Sequence, residues 1–268
     1  LARLEAEGLA PAEETDPRTW LRRVTFQLTG LPPKPQAIEN FLADNSPAGR
    51  AKVVSRLLGN PAFGECWAQH WLDLVRFAET KGHEGDHDIP YAWRYRDYVI
   101  RAFNSDVPYD QLVREYLAGD LLQKPRINES EGINESVIGT SHFRMVEHGY
   151  DPVDPLEDRV NWTENQIDVF SKAFQGLTVA CARCHDHKFD AISQKDFYAI
   201  FASLRGARPI QTVIDSPERV DTNRSELADL KRKVRTMLAT AWLRQANKLV
   251  DHLIEAKPGT PFLCLLYT

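Results

Sequence analysis

The residues best able to do chemistry stand together at Cys181-Ala182-Arg183-Cys184-His185 and continue through Asp186-His187-Lys188-Phe189-Asp190. Two cysteines three apart, with a histidine directly after, have the spacing of c-type haem attachment, in which both thiols form thioethers to the porphyrin vinyl groups. The same spacing puts His185 under the iron as proximal axial ligand, the group through which a protein tunes haem potential and reactivity. Other chemistries fit less well. A structural zinc wants four ligands, usually a second paired set, whereas Cys66 and Cys264 are isolated. A thioredoxin-like dithiol belongs near a βαβ pattern, which this neighbourhood lacks.

A further set of candidates concerns the opposite face of such an iron. His187 is expected to stay peripheral, because it lies two residues from His185 and a trans ligand must approach from the other side. Met145 is the one plausible thioether donor, since Met237 falls on a long helix outside the compact region. Histidine is therefore the expected sixth ligand, with His70 ranked first and His83 and His148 behind it as loop residues. His70 belongs to a stripe of Phe63, Trp67, Trp71, Leu74 and Phe77. It reads either as a core histidine bonded to Asp73 or a backbone carbonyl, or as a ligand backed by an aromatic wall. The stretch Lys81-Gly82-His83-Glu84-Gly85-Asp86-His87-Asp88 is rich in groups that bind metals or move protons, and is otherwise a solvated polar loop. Arg94, between Trp93 and Tyr95, suits clamping of a carboxylate such as a haem propionate, or simple snorkelling on an amphipathic surface.

The elements that must position these groups are helical. Asp16-Pro17 predicts a helix over 16–29, stopped by Gly30 and Pro32-Pro33. Shorter helices follow through Ile38 to Leu42 and from Ser46-Pro47 to Gly59. Longer ones are expected over 63–79, 91–103, 108–122 and 161–176, the last leading straight into the cysteine motif. Ser193 to Asp196 caps one more. The chain from Lys124 to Asp158, broken by Pro125, Gly132, Gly139, Gly149, Pro152 and Pro155, reads as a long functional loop. Residues 223–256 carry Leu227, Leu230, Val234, Leu238, Trp242, Leu249 and Leu253 in a charged, heptad-like stretch, which reads as a helical arm. The expected architecture is all-α: an irregular multi-helix domain over 1–210 and a helical arm or linker to a downstream domain over 211–268.

Composition sets outer limits. A net charge of −5 over 268 residues leaves no overall basic field for nucleic acid. No apolar run approaches the ~20 residues that cross a bilayer. The first residues have neither an initiator Met nor a basic and apolar leader, so they read as the interior of a longer protein. Thioether attachment to free thiols is extracytoplasmic chemistry in bacteria, and a periplasmic or secreted location is expected.

Several segments in order resemble one known family. They are Asp16 to Phe26 with Leu28-Thr29-Gly30-Leu31-Pro32-Pro33, Trp67 to Trp71, Ala92-Trp93-Arg94-Tyr95-Arg96-Asp97-Tyr98, Ala118-Gly119-Asp120-Leu121-Leu122, and Gly176-Leu177-Thr178 running into Cys181 to Asp190. Together they resemble the planctomycete cytochrome-c-like domain family, the second of the cytochrome-named domains of large secreted proteins, over roughly residues 1 to 205. The resemblance implies haem c attached at Cys181, Cys184 and His185, and a site that extends through Asp190. Arg144-Met145-Val146-Glu147-His148 departs from the more apolar stretch expected there. The leading function is electron transfer within a larger periplasmic oxidoreductase, the partner being a redox protein or an adjacent domain of the full-length chain. One alternative is a haem- or metal-dependent enzyme using His83, Glu84, His87 or His187 on a carbohydrate or peroxide. Another is an interaction module with a Cys181–Cys184 disulfide and a bound structural metal.

Overall fold

Proline and a preceding polar residue open half of the α-helices among the described residues. In the computed structural model, α1 (Ala2–Ala6) is followed by α2 (Pro17–Thr29), α3 (Pro35–Ala43), α4 (Pro47–Leu58) and α5 (Pro61–Leu74). Asp16, Ser46 and Asn60 accept the backbone N–H of Thr19, Gly49 and Ala62. The prolines that follow them fill the first helical position, where an N–H would have no partner in any case. The structure describes residues 2–82, 86–145, 154–207 and 210–255, excluding the side chains of 249 and 251–255. The chain divides into two compact units, Leu1–Ile214 and Asp215–Thr268. No helix among the described residues is long and apolar enough to cross a membrane.

α5 differs from expectation in its length and in the face it buries. It ends at Leu74 rather than 79, because Arg76 takes a left-handed φ of 54°. The Phe77 N–H then reaches back to the Leu72 carbonyl (2.8 Å), closing the turn as glycine usually does. The buried face runs through Gly64, Ala68 and Val75 against α6 (Ala92–Asn104). A Cβ on Gly64 would lie 2.5 Å from the Ile100 carbonyl oxygen, so the helices approach where only glycine fits. Trp71 turns inward, stacks on Tyr116 (4.8 Å, 15°) and donates Nε1 to Tyr95 Oη (3.3 Å). Trp67 and His70 are exposed, edge to face at 5.6 Å. The expected aromatic wall behind His70 is therefore split, and His70 is not a core histidine.

Within the stretch expected to be a long loop, residues 133–145 contribute to the core. After α7 (Tyr109–Ala118) and a 3-10 turn at Gly119–Leu121, a hairpin of β1 (Ile127–Asn128) and β2 (Ile133–Asn134) leads into α8 (Glu135–Ile138) and a 3-10 segment, Gly139–Arg144. Ile133, Val137, Ile138, His142 and Met145 are all buried. A polar pair holds this region. Arg126 donates Nε and Nη2 to the fully buried Glu115 carboxylate (3.1 and 2.9 Å), joined by Tyr98 Oη (2.7 Å), Gln111 Nε2 (3.0 Å) and Ser136 Oγ (3.0 Å). Burial alone would raise the Glu115 pKa, but these donors offset it and hold the carboxyl below its usual value. Tyr98 and Tyr116, desolvated beside that charge, are pushed well above the ordinary phenol range.

Pro155, read in sequence as a breaker, instead opens α9 (Pro155–Phe170), and Asp154 accepts the N–H groups of Leu156 and Glu157. One π-helical turn, Ser171–Gln175, ends it at Gly176 (φ 66°). α10 (Gln194–Arg205) begins with a reciprocal cap between Ser193 and Asp196. The second unit holds α11 (Pro217–Thr222) and the 32-residue α12 (Arg224–Glu255).

Candidate functional site

The cysteine motif sits on a 3-10 turn, Val179–Arg183, packed between α9 and α10. Three residues per turn stack i over i+3, so Val179 and Ala182 share the inner edge. Both are buried with Ile167 and Phe197 in a small apolar cluster. The same period puts Cys181 and Cys184 on another edge, and both are exposed and unbridged. The Cys181–Cys184 disulfide of the interaction-module alternative is not formed here. The third cysteine among the described residues, Cys66, is also free and lies against Gly30.

Hydrogen bonds fix the backbone around these thiols. The Arg183 carbonyl accepts Gln194 Nε2 (3.0 Å) and Tyr198 Oη (3.3 Å), and Asp186 Oδ1 accepts the Gln194 N–H (2.8 Å). The Arg183 guanidinium pairs with Glu164; that carboxylate, with the adjoining Cys184 sulfur, holds it further toward its charged form. His185 is exposed, and its Nδ1 lies 2.7 Å from the Asp186 carbonyl oxygen. A carbonyl only accepts, so Nδ1 carries the proton and Nε2 keeps its lone pair. That arrangement, one ring nitrogen tied to a backbone carbonyl and the other bare, is what a metal-ligating imidazole requires.

His187 has a different task. Its side chain is only 5% exposed. Nδ1 accepts the backbone N–H groups of Phe189 (3.3 Å) and Asp190 (2.9 Å), so Nε2 bears the proton and donates to Thr178 Oγ1 (3.0 Å). The ring thereby ties the residue before the 3-10 turn to the loop after the motif. Both ring nitrogens are thus engaged in holding the loop. Phe189, by contrast, is 85% exposed beside this loop.

The remaining candidates are scattered. Arg94 stacks over Trp93 (4.7 Å) and Tyr91 (5.9 Å) and has no carboxylate partner among the described residues, unlike Arg96 with Glu79 and Arg101 with Glu135. His87 is exposed in a loop closed by the Thr80–Asp88 bridge. His83, Glu84 and His148 lie outside the described residues. No group of three or more His, Cys, Asp or Glu among the described residues converges as a metal site.

One histidine escaped sequence reasoning. His142 is 2% exposed among Tyr95, Tyr116, Phe143 and Phe174, with Nδ1 on the Gly139 carbonyl (3.0 Å) and Nε2 without a partner. Burial pushes its pKa down to about 4. Val137 and Ile138 just before it were the only apolar signal of a buried segment there.

A family model described as PSCyt2, protein of unknown function (DUF1549), matches residues 1–208. No curated protein and no solved structure matches the chain.

Proposed function

Since the chain belongs to the PSCyt2 family over residues 1–208, we propose that this part is a c-type haem domain passing electrons within a larger extracytoplasmic oxidoreductase. The observation that carries the reading is the placement of two free thiols on one exposed edge, followed at once by an imidazole whose Nδ1–H is committed to a backbone carbonyl. These donors fit the group: two thiols for two vinyl carbons, and one bare nitrogen for iron. Cys181 and Cys184 would hold haem covalently, His185 would ligate it, and Arg94, lacking a carboxylate of its own, would meet a propionate. Haem, when bound, supplies one-electron chemistry. The protein's contribution is to fix the imidazole tautomer through the Asp186 carbonyl, and to hold the loop through His187, Gln194 and Tyr198. Haem attachment of this kind implies a periplasmic or secreted site of maturation.

The test is co-expression with haem-attachment machinery, then denaturing-gel haem staining, acid-acetone extraction and spectra before and after dithionite. Colour should stay with the wild-type protein, and Cys181→Ala should retain it less well. A Cys181→Ala/Cys184→Ala protein that matures and stains like the wild type would sink the assignment. The same spectra on His70→Ala report the sixth ligand; a low-spin spectrum that stays unchanged directs the search to His83, His148 and Met145.

A further inference from the structure

The long helix α12 carries charge and apolar surface in a pattern that the haem site does not use. From Leu230 to Val250 it holds Lys231, Arg232, Lys233, Arg235, Arg244 and Lys248 and no acidic residue, in a chain whose net charge is −5. Of these six, only Arg232 has an ion-pair partner among the described residues, Asp229. Leu227, Leu230, Val234, Met237 and Ala241 recur at alternating three- and four-residue steps, the spacing of a coiled-coil seam. The four large ones are 45–72% exposed.

Three kinds of occupant compete for such a face. A second copy of α12 would set six positive charges against six over about 30 Å of helix, at spacings well inside the ~10 Å screening length. A membrane surface favours helices that segregate a broad apolar half from a basic half. Here Leu238 and Trp242, also exposed, widen the apolar face on one side, but Lys231 interrupts it there, Lys233 borders the other side and Arg232 lies opposite, so the basic groups are spread around the helix instead of gathered on one half. A seam of this width matches one helix, and its flanks call for carboxylates at the positions beside a partner's own seam.

We infer that α12, over Leu227 to Ala241, docks an acidic amphipathic helix of a different polypeptide as a two-stranded coiled coil. The contact buries the Leu227, Leu230, Val234 and Met237 seam and sets Lys231 and Lys233 against partner carboxylates. It stands independently of the haem assignment.

The probe is a synthetic peptide of four heptads with Leu at both seam positions and Glu at both flanking positions, titrated onto the full chain. Controls are a scrambled peptide of identical composition, the Lys-flanked counterpart, and vesicles containing anionic lipid. The expected result is one-to-one binding of the Glu-flanked peptide that weakens as salt rises. Leu230→Ser/Met237→Ser, two exposed positions, should weaken it about tenfold or more. Lys231→Glu/Lys233→Glu should shift preference to the Lys-flanked peptide. Equal binding of the scrambled peptide, preferential binding of vesicles, salt-resistant self-association of the chain through α12, or no binding at all would each overturn the inference.

Discussion

Replacing His187 with alanine removes three hydrogen bonds at once: two backbone N–H groups lose their acceptor and Thr178 loses its donor. A net intramolecular hydrogen bond contributes about 0.5–1.5 kcal/mol. Phe189 and Asp190 are themselves exposed, so water replaces part of what is lost, and the lower half of the range applies to each bond. Local opening of the loop should therefore become easier by about 1.5–3 kcal/mol, roughly a tenfold to hundredfold rise in amide exchange at Phe189 and Asp190. His187→Asn should fall between. Its Oδ1 hangs from Cγ as Nδ1 does and can accept the same two N–H groups in an Asx-type turn, while the reach to Thr178 is lost. Thr178→Val removes that same link from the other end, so combining it with His187→Asn should add almost nothing. Exchange measured by NMR, with alkylation rates of Cys181 and Cys184 and haem yield on co-maturation, reads all four variants. If His187→Ala protects Phe189 and Asp190 as well as the wild type does, the ring is not the fastener of this loop.

Three further outcomes follow from the core. His142 titrates near 6.5 when unfolded but only at about 4 when buried, so the unfolded chain takes up a proton first as pH falls. Its contribution is intact above pH 6.5 and lost progressively toward pH 4, about 3 kcal/mol in all; His142→Gln should flatten the stability-against-pH slope in that window, and an unchanged slope in urea titrations would refute the burial argument. Arg126→Met strands the Glu115 charge and should cost about 3–5 kcal/mol in chemical denaturation, whereas Arg126→Met with Glu115→Gln should recover part of that loss. Gly119→Ala puts a Cβ 1.8 Å from the Ser136 carbonyl oxygen, where backbone must move, and should lower the midpoint by more than Gly206→Ala, which meets open space.

What could be read from sequence depended on whether the deciding interaction was local. The starts of α2, α4 and α10 were legible because a capping oxygen and the backbone N–H it accepts lie within three residues. Asp154-Pro155 carries the same signature as Asp16-Pro17, but the neighbouring Gly149 and Pro152 drew it into a supposed loop. The end of α5 was not legible, since a left-handed arginine leaves no mark where glycine would. Residues 124–145 escaped for a deeper reason. Glu115, Arg126, Glu135 and Ser136 occupy or border buried positions that hydrophobic periodicity counts as surface, and only pairing across up to 34 residues, as of Glu135 with Arg101, makes that burial tolerable. The site divides in the same way. The Cys181, Cys184 and His185 spacing is local and was visible at once. The work of His187 was not, because its acceptor nitrogen serves backbone N–H groups, which every residue but proline has and no sequence pattern reveals. A motif search therefore finds the atoms that would meet the cofactor, while the atoms that hold those residues still must be found in the fold.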